Sequence, residues 1–506
     1  MPYTKSRSRI RQNLDVLVQI PKSGDFGYGQ NSQSPRMHPA PGLLRTALAL
    51  VLVASFPGTA AAQSYWELSP YSIRVIVAFE SAPQFHTRFQ EELLPSLAQR
   101  AEVAAGAAWQ ASFEIASPRL RHRMLRDITS IPAEAFAAEL DDRDKIVLLT
   151  LAIEPDGYTV AARELDCPTH RWSLPQTRIV RQQEQLASAL FRTWSAAFAP
   201  LARVSDADAQ VATLELRAGA LPPADPAWRQ AALGSVFHPI VRQNERDGSS
   251  RPGGIEPVPW TLLQVGEIDG GRLRSTIHSG MRSPLAVRRR GRTDLFALAV
   301  EPGDAPTTLE LRSREDEPQP LAGYEIFSQS PSSSEMQRLG LTDRDGRLPI
   351  SPNADPLRVL YVKHGSRLLA RLPIVPGQAD IANVALVDDD PRLRVEGQLL
   401  GLEETLVDLV ARREMLLARI HTRLDEDDAD GAAQLLAELR RLPTREQFAQ
   451  RIAQLEQRTN SSSDPALQAE IARLFDRTKA LLGKYLDVRR ISEVQTLVDR
   501  AKEPEA

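Results

Sequence analysis

Apolar residues recur along this chain at two spacings, every second position or every third to fourth, and the changes between them divide it. Ser72–Phe79, SIRVIVAF, alternates and is β-branched, which predicts a strand. In PQFHTRFQEELLPSLAQRAEVAAG, Phe85, Phe89, Leu93 and Leu97 stand four apart, which predicts one apolar helical face with Pro95 placed to kink it. Trp109–Ala116 reads as a strand, and PRLRHRMLRDI and PAEAFAAEL as short helices, each opened by a proline. DKIVLLTLAIEPDGYTVAARELD is a hairpin turning at Pro155-Asp156-Gly157. Leu186, Leu190, Trp194 and Ala197 then hold a helical period. The order over residues 72–204 is β-α-β-α-β-β-α, an α/β layer domain with helices covering one sheet.

Beyond this the pattern becomes turn-rich and strand-like. ALPPADPAW reads as a joint, and strands follow at FHPIVRQ, PWTLLQVGEI, RLRSTIHSG, PLAVRRR and DLFALAV. The connections NERDGSSRPGGIEPV and EIDGGR carry strong turn signals, so residues 210–306 are expected to form a small barrel or meander. Seven short strands between 307 and 387 (TTLELRS, AGYEIFS, RLGLTD, GRLPI, LRVLYVK, RLLARLPIV, IANVALV) give the spacing of a β-sandwich.

From Pro391 the period changes again. Val395, Leu399, Leu402, Leu406, Leu409, Leu416 and Ile420 step by three and four, with Arg413 in the polar seam position, and Leu467, Ile471, Leu474, Thr478, Leu481 and Tyr485 repeat the rule. Between them lie AAQLLAELRRL and REQFAQRIAQL, separated at Pro443-Thr444, where Thr444 with Gln447 forms a capping box. Each stripe is short. Residues 391–502 are therefore expected to be four or five helices packed antiparallel within the chain, and the stripe positions Leu399, Leu406 and Leu474 to be divided between core and partner contact. The whole is a multidomain α+β protein with a helical C-terminal region.

The most apolar run, Leu43–Gln63 (LLRTALALVLVASFPGTAAAQ), has only eleven residues from Thr46 to Phe56 before Pro57-Gly58, short of the roughly 20 that a spanning helix needs. It has the form of a secretory signal over residues 37–62, with Arg45 as the positive region, Ala60-Ala61-Ala62 as the small-residue site and cleavage after Ala62. Residues 1–36 show no sustained period and read as a disordered extension or as sequence ahead of a true start at Met37. Gln63 rather than Cys follows the cleavage point, so no lipid anchor is expected, and no later segment is apolar enough to span a bilayer. The expected location is the bacterial periplasm or the exterior.

Composition adds a few limits. The chain has 506 residues, enough for two to four domains, and a net charge of −3, which supplies no general attraction to nucleic acid or anionic membrane. Its single cysteine, Cys167, excludes an internal disulfide, so the domains must stand on packed cores.

Two resemblances follow from particular stretches. The element order of residues 72–204, with a hairpin between helices, resembles the small α/β accessory domains of periplasmic proteins typified by the TolB N-terminal domain. PLAGYEIFS…GLTDRDGRLPI, a strand reaching a Thr-Asp-x-x-Gly turn and returning, resembles transthyretin-like, carboxypeptidase-regulatory-type sandwiches. That resemblance implies an accessory or adhesive module.

Candidate chemistry is sparse. Asp343-x-Asp345-Gly346 invites a calcium reading, but Leu341 and Pro352 stand where an EF-hand loop needs acids, so a hairpin turn is expected. Arg282, Arg288, Arg289, Arg290 and Arg292 gather in MRSPLAVRRRGR as a candidate patch for an anionic polymer; no aromatics interleave, so base stacking is not supported. The acids of DEDDAD and Asp388-Asp389-Asp390 suit loops and helix N-termini. His278-Ser279 is the one pair that hints at a nucleophile, and Trp66, Trp172, Trp228 and Trp260 are candidates for a glycan surface or for domain joints. No HExxH, P-loop, GxGxxG or GxSxG occurs, and no cofactor, metal or catalytic residue is assigned. The expectation is a non-catalytic, exported interaction or scaffold protein of the envelope, whose partner is another envelope protein. The alternatives are a hydrolase assembled from dispersed residues and a binder of an anionic envelope polymer.

Overall fold

The computed structural model describes residues 65–285, 292–459 and 464–502; the leader segment 37–62 and Arg288, Arg289 and Arg290 lie outside them. The chain divides into two compact units, one ending at Leu386 and one beginning at Val387, and each is described by itself.

The first unit opens with a short helix α1 (Tyr65–Leu68) and the α/β module. Its sheet runs β2-β1-β3-β4-β5, with β6 also on β4. Strand β1 (Tyr71–Phe79) is central and parallel to β2 (Trp109–Ile115) and β3 (Lys145–Glu154), while β4 (Gly157–Asp166) returns antiparallel from the expected hairpin, Glu154 opposite Gly157. Ile73, Val75 and Val77 point to one face, under α2 (Thr87–Ala105) and α4 (Leu186–Ala197); Ile76 and Ala78 point to the other, under α3 (Pro118–Arg126). A parallel strand covered on both faces needs apolar residues at every position, which is why SIRVIVAF is nearly continuous. His86 caps α2 by accepting the Phe89 amide at 3.1 Å, and Pro95 is accommodated inside that helix. PAEAFAAEL, expected as a helix, is only a 3₁₀ turn at Ala133–Phe136. Strands β5 (Arg171–Trp172) and β6 (Gln176–Val180) had no period long enough to predict them.

Strands β7 (Leu201–Ala207), β8 (Val211–Leu216), β9 (Val236–Asn244), β11 (Thr261–Asp269), β12 (Arg272–Ser279) and β13 (Thr293–Val300) close into a six-membered antiparallel ring, because β13 pairs with both β7 and β9. The barrel rather than the meander is therefore realised. It starts at Leu201, inside the stretch assigned to the α/β domain from sequence. Strand β10 (Ser250–Pro257) extends along β9 and replaces the turn expected there. Pro284 and Leu285 lie in a turn, and the rest of the PLAVRRR strand reading falls outside the described residues.

All seven sandwich strands form where the sequence places them: β14 (Thr307–Ser313), β15 (Glu325–Gln329), β16 (Met336–Leu341), β17 (Arg347–Ile350), β18 (Arg358–His364), β19 (Arg367–Ile374) and β20 (Ile381–Leu386). They make two sheets, β17-β14-β20 and β16-β15-β18-β19, closed over Leu309, Leu311, Ile326, Leu360, Val362 and Val384. The Asp343–Gly346 turn is tight but is not a hairpin, since β16 and β17 belong to different sheets. Gly346 holds φ +74° there, and a Cβ at that position would lie 2.4 Å from the Leu311 carbonyl oxygen.

The second unit is helical: α5 (Asp390–Asp425), α6 (Ala429–Arg441), α7 (Arg445–Thr459), α8 (Pro465–Tyr485) and α9 (Arg489–Lys502). One apolar cluster, including Leu399, Leu406, Phe448, Ile471 and Phe475, joins all five. Arg413 sits buried in the seam and donates Nη2 to the Pro443 carbonyl at 2.8 Å. The capping box forms in both directions, Gln447 N to Thr444 Oγ1 at 3.3 Å and Thr444 N to Gln447 Oε1 at 3.1 Å. Asp428 and Asp464 cap α6 and α8. Thr444→Ala is expected to cost the helical unit about 1 kcal/mol, read from helical circular dichroism in a denaturant titration, with Thr444→Ser recovering most of it.

Candidate functional site

The three modules of the first unit meet around a cleft of about 840 Å³. The α/β module supplies Arg171, Trp172, Ser195 and Phe198; the barrel supplies His238 and Gln264; the sandwich supplies Asp355 and Gln378. The 217–235 connection, which contains the ALPPADPAW joint, closes one side with Trp228 and Gln230. Trp228 is held edge-on against Trp109 at 5.2 Å, and Trp109 in turn stacks on Trp194 at 4.6 Å.

The floor is the crossing from α4 to β7, residues 198–201, and it is fastened from below by buried charge. Lys145, at the start of β3, is wholly buried, with Nζ 2.8 Å from Glu164 Oε1 and 3.0 Å from Asp166 Oδ1 on neighbouring β4, and it also donates to the Ala199 carbonyl. Glu164 Oε1 accepts the Ala199 amide at 3.0 Å. The Tyr71 hydroxyl accepts the Leu201 amide at 2.9 Å and donates to the Leu201 carbonyl at 3.3 Å. Phe198 packs edge-on to Tyr71 at 5.2 Å and lies 5.1 Å from the ammonium. The amide and carbonyl of both Ala199 and Leu201 thus have side-chain partners, which fasten this crossing without a disulfide.

One cation serves two carboxylates here, and the imbalance sets the titration. Burial pushes Glu164 up to about 7, against the pull of Lys145; the two carboxylates hold Lys145 protonated, above its ordinary range. Burial likewise raises the Tyr71 hydroxyl and keeps it un-ionised. Asp166 is further occupied by Thr169, whose Oγ1 donates at 2.5 Å and whose amide donates at 3.1 Å. On the cleft wall, burial lowers His238, so its ring is neutral at pH 7 as it meets the Val258 carbonyl at 3.3 Å.

The residues singled out from sequence fall in several places. Trp172 and Trp228, 56 positions apart, line the same cleft. Trp66 is a joint instead, stacked on Phe296 at 5.7 Å with the Arg217 guanidinium 4.7 Å from its ring, and Trp260 packs against the sandwich core. His278 and Ser279 are consecutive on β12 and face opposite ways. The Ser279 hydroxyl is shared with Thr261 Oγ1 at 2.9 Å, while His278 Nε2 is buried with no hydrogen-bond partner among the described residues, so this pair does not form a nucleophile and base. Asp343 spends its carboxylate on the Asp345 and Arg347 amides, at 2.9 and 2.8 Å. Cys167 is fully buried and burial raises its thiol, which leaves it unreactive. Arg282 and Arg292 are exposed. Leu399 and Leu406 are buried within the helical unit and Leu474 is half-buried against the same cluster, so the first two belong to the core rather than to a contact surface. Sequence reasoning missed the Lys145 cluster; the only trace it left was a lysine and two acids on strands otherwise apolar.

No family model and no curated protein matches the chain. Among solved structures it is similar to TolB from Acinetobacter baumannii, at 12% identity over 61% of this chain and 95% of that one, with a TM-score of 0.17. It is also similar to BcpA, the major pilin subunit of Bacillus cereus, at 9% identity over 49% and 71%, TM-score 0.13, and to the Bacillus anthracis TIE protein, at 9% over 42% and 46%, TM-score 0.12. Scores this low carry neither fold nor function across. Among the described residues, no helix is long and apolar enough to cross a membrane, and no group of three or more His, Cys, Asp or Glu is placed to hold a metal ion.

Two outcomes follow from the buried cluster. Lys145→Met leaves two carboxylates facing each other in the core and is expected to destabilise the first unit by about 3–5 kcal/mol, with Glu164→Gln added to it recovering part of the loss in urea titrations. Glu164 has a folded pKa above its unfolded one, so its contribution to stability is fully present below pH 4.5 and is lost as pH rises through about 7. His170, His238 and His278 are shifted down by burial and titrate in the opposite sense, so the test is a difference. The stability of Glu164→Gln relative to the parent should rise from pH 5 to about pH 7 and level off above it, and a flat difference would reject the assignment.

Proposed function

We propose that this chain is an exported, non-catalytic protein of the bacterial envelope that holds another molecule in the cleft between its three modules. The observation that carries the reading is the fastened floor. The 198–201 crossing is fixed by Lys145, Glu164 and Tyr71 before any ligand arrives, so the walls are pre-organised and little ordering is required on binding. Beneath the cleft, the Lys145 ammonium is committed to two carboxylates and a carbonyl, and the Tyr71 hydroxyl to the Leu201 backbone and Gln230. The cleft's placement where modules meet is the common one for recognition sites. The short apolar leader ahead of an alanine cleavage site supports export to the periplasm or beyond, and a body that stands on packed cores with one buried thiol suits that location.

The contact surface moves, in this reading, from the helical stripes to the first unit. Leu399 and Leu406, expected to be shared with a partner, are already covered by their own bundle. A photoreactive residue placed at Gln264 or Gln378 in intact cells should capture a discrete adduct, and one at exposed Leu497 of the helical unit should not. Envelope material should begin at Gln63 by N-terminal sequencing. Absence of adducts from both cleft positions sinks the recognition role, and native uncleaved chain in the cytosol sinks export.

A further inference from the structure

The cleft's chemistry narrows what it holds, and the narrowing rests on the reading just given. Its aromatic residues are Trp172, Phe198 and Trp228, and its uncharged polar residues include the carboxamides Gln230, Gln264 and Gln378. The charges on its rim cancel: Arg171 and Arg229 against Glu301 and Asp355. Asp355 is in addition occupied by Ser330 Oγ, 2.5 Å away. An anionic ligand would therefore meet no excess of positive charge.

Trp172 Nε1 and Ser195 Oγ are enclosed by protein and are not open to the cleft, so the polar contacts it offers come from its carboxamides. The barrel side of the cleft offers side chains rather than main chain. Strand β9 is paired with β13 along one edge and with β11 and β10 along the other, and β13 is paired with both β9 and β7, so a peptide cannot add to that wall as a further strand. A neutral molecule that presents apolar faces to rings and hydroxyls to amides matches this lining.

We propose that the three-module cleft binds an uncharged oligosaccharide, with Trp172 and Trp228 against the C–H faces of the sugar rings and Gln264 and Gln378 reading the hydroxyls. A volume of about 840 Å³ lies within the range for sites that enclose small ligands and has room for a short chain of sugar rings. Indole rings suit this role because they present a broad apolar face and a polar N–H on one rigid frame.

The test uses the full chain after leader removal. Maltohexaose, cellohexaose and chitohexaose are titrated by tryptophan fluorescence and calorimetry, beside a heparin oligosaccharide and a neutral extended decapeptide. Saturable binding of at least one neutral hexasaccharide, little changed between 50 and 300 mM salt, is the expected result. Trp228→Ala should abolish it. Because Trp228 also packs on Trp109, Gln264→Leu is measured in parallel and should weaken binding about three- to tenfold with an unchanged thermal transition. The proposal is overturned if no neutral hexasaccharide binds, if Gln264→Leu leaves the affinity unchanged, or if only heparin or the decapeptide binds. Protein adducts captured at Gln264 or Gln378 together with no saccharide binding would overturn this proposal while leaving the recognition role intact.

Discussion

Lys145 is the point on which the first unit turns. A fully buried ammonium is tolerable only where charge and hydrogen bonds replace its water, and here two carboxylates of β4 and the Ala199 carbonyl do so together. That arrangement ties the central sheet of the α/β module to the single crossing by which the chain enters the barrel. Tyr71 ties the next peptide in the same way, through both the amide and the carbonyl of Leu201. A nonpolar core could have packed the same volume, but it could not have satisfied the backbone of a crossing that runs through the interior.

The position of the cleft follows from that constraint. Fixing residues 198–201 fixes where α4 ends and where β7 begins, and so sets the barrel against the α/β sheet. The 217–235 connection then folds back so that Trp228 meets Trp109 and Phe198. The sandwich contributes Asp355 and Gln378, and the Gln378 amide reaches the Glu301 carbonyl on the link between barrel and sandwich. The walls are therefore built from residues whose own positions are determined by packing and hydrogen bonds, which is the condition for a site that recognises without large rearrangement. The helical unit follows a simpler rule, with one continuous apolar cluster and capped termini, and its buried Arg413 replaces water with a carbonyl contact at the α6–α7 turn.

Much of the architecture could be read from the chain before any coordinates. Strand and helix periods placed the β3–β4 hairpin, helix α4, all seven sandwich strands and the helical C-terminal region, because each of these is decided by which positions along a short segment are apolar. Glycine and proline chemistry located the Asp343–Gly346 turn, and Thr444 with Gln447 announced a helix start, since both effects act within a few residues. Polar strands were harder. Strand β10, SRPGGIEP, has the composition of a turn and becomes a strand only because β9 extends past β11 and offers it an edge.

The cleft itself lay beyond the reach of sequence, and the reason is distance. Lys145, Glu164, Ala199 and Tyr71 are separated by up to 128 positions, and nothing in the sequence around any one of them signals the others. The same holds for Trp172 and Trp228, which the sequence offers only as isolated aromatics and the folding of three modules brings to one cleft. Sequence decided what each segment becomes, because backbone and side-chain preferences are local. Tertiary structure alone decided that a lysine would be buried between two acids, that a ring of strands would close through β13, and that a cleft would open over the crossing they hold, because those outcomes depend on contacts made across the whole chain.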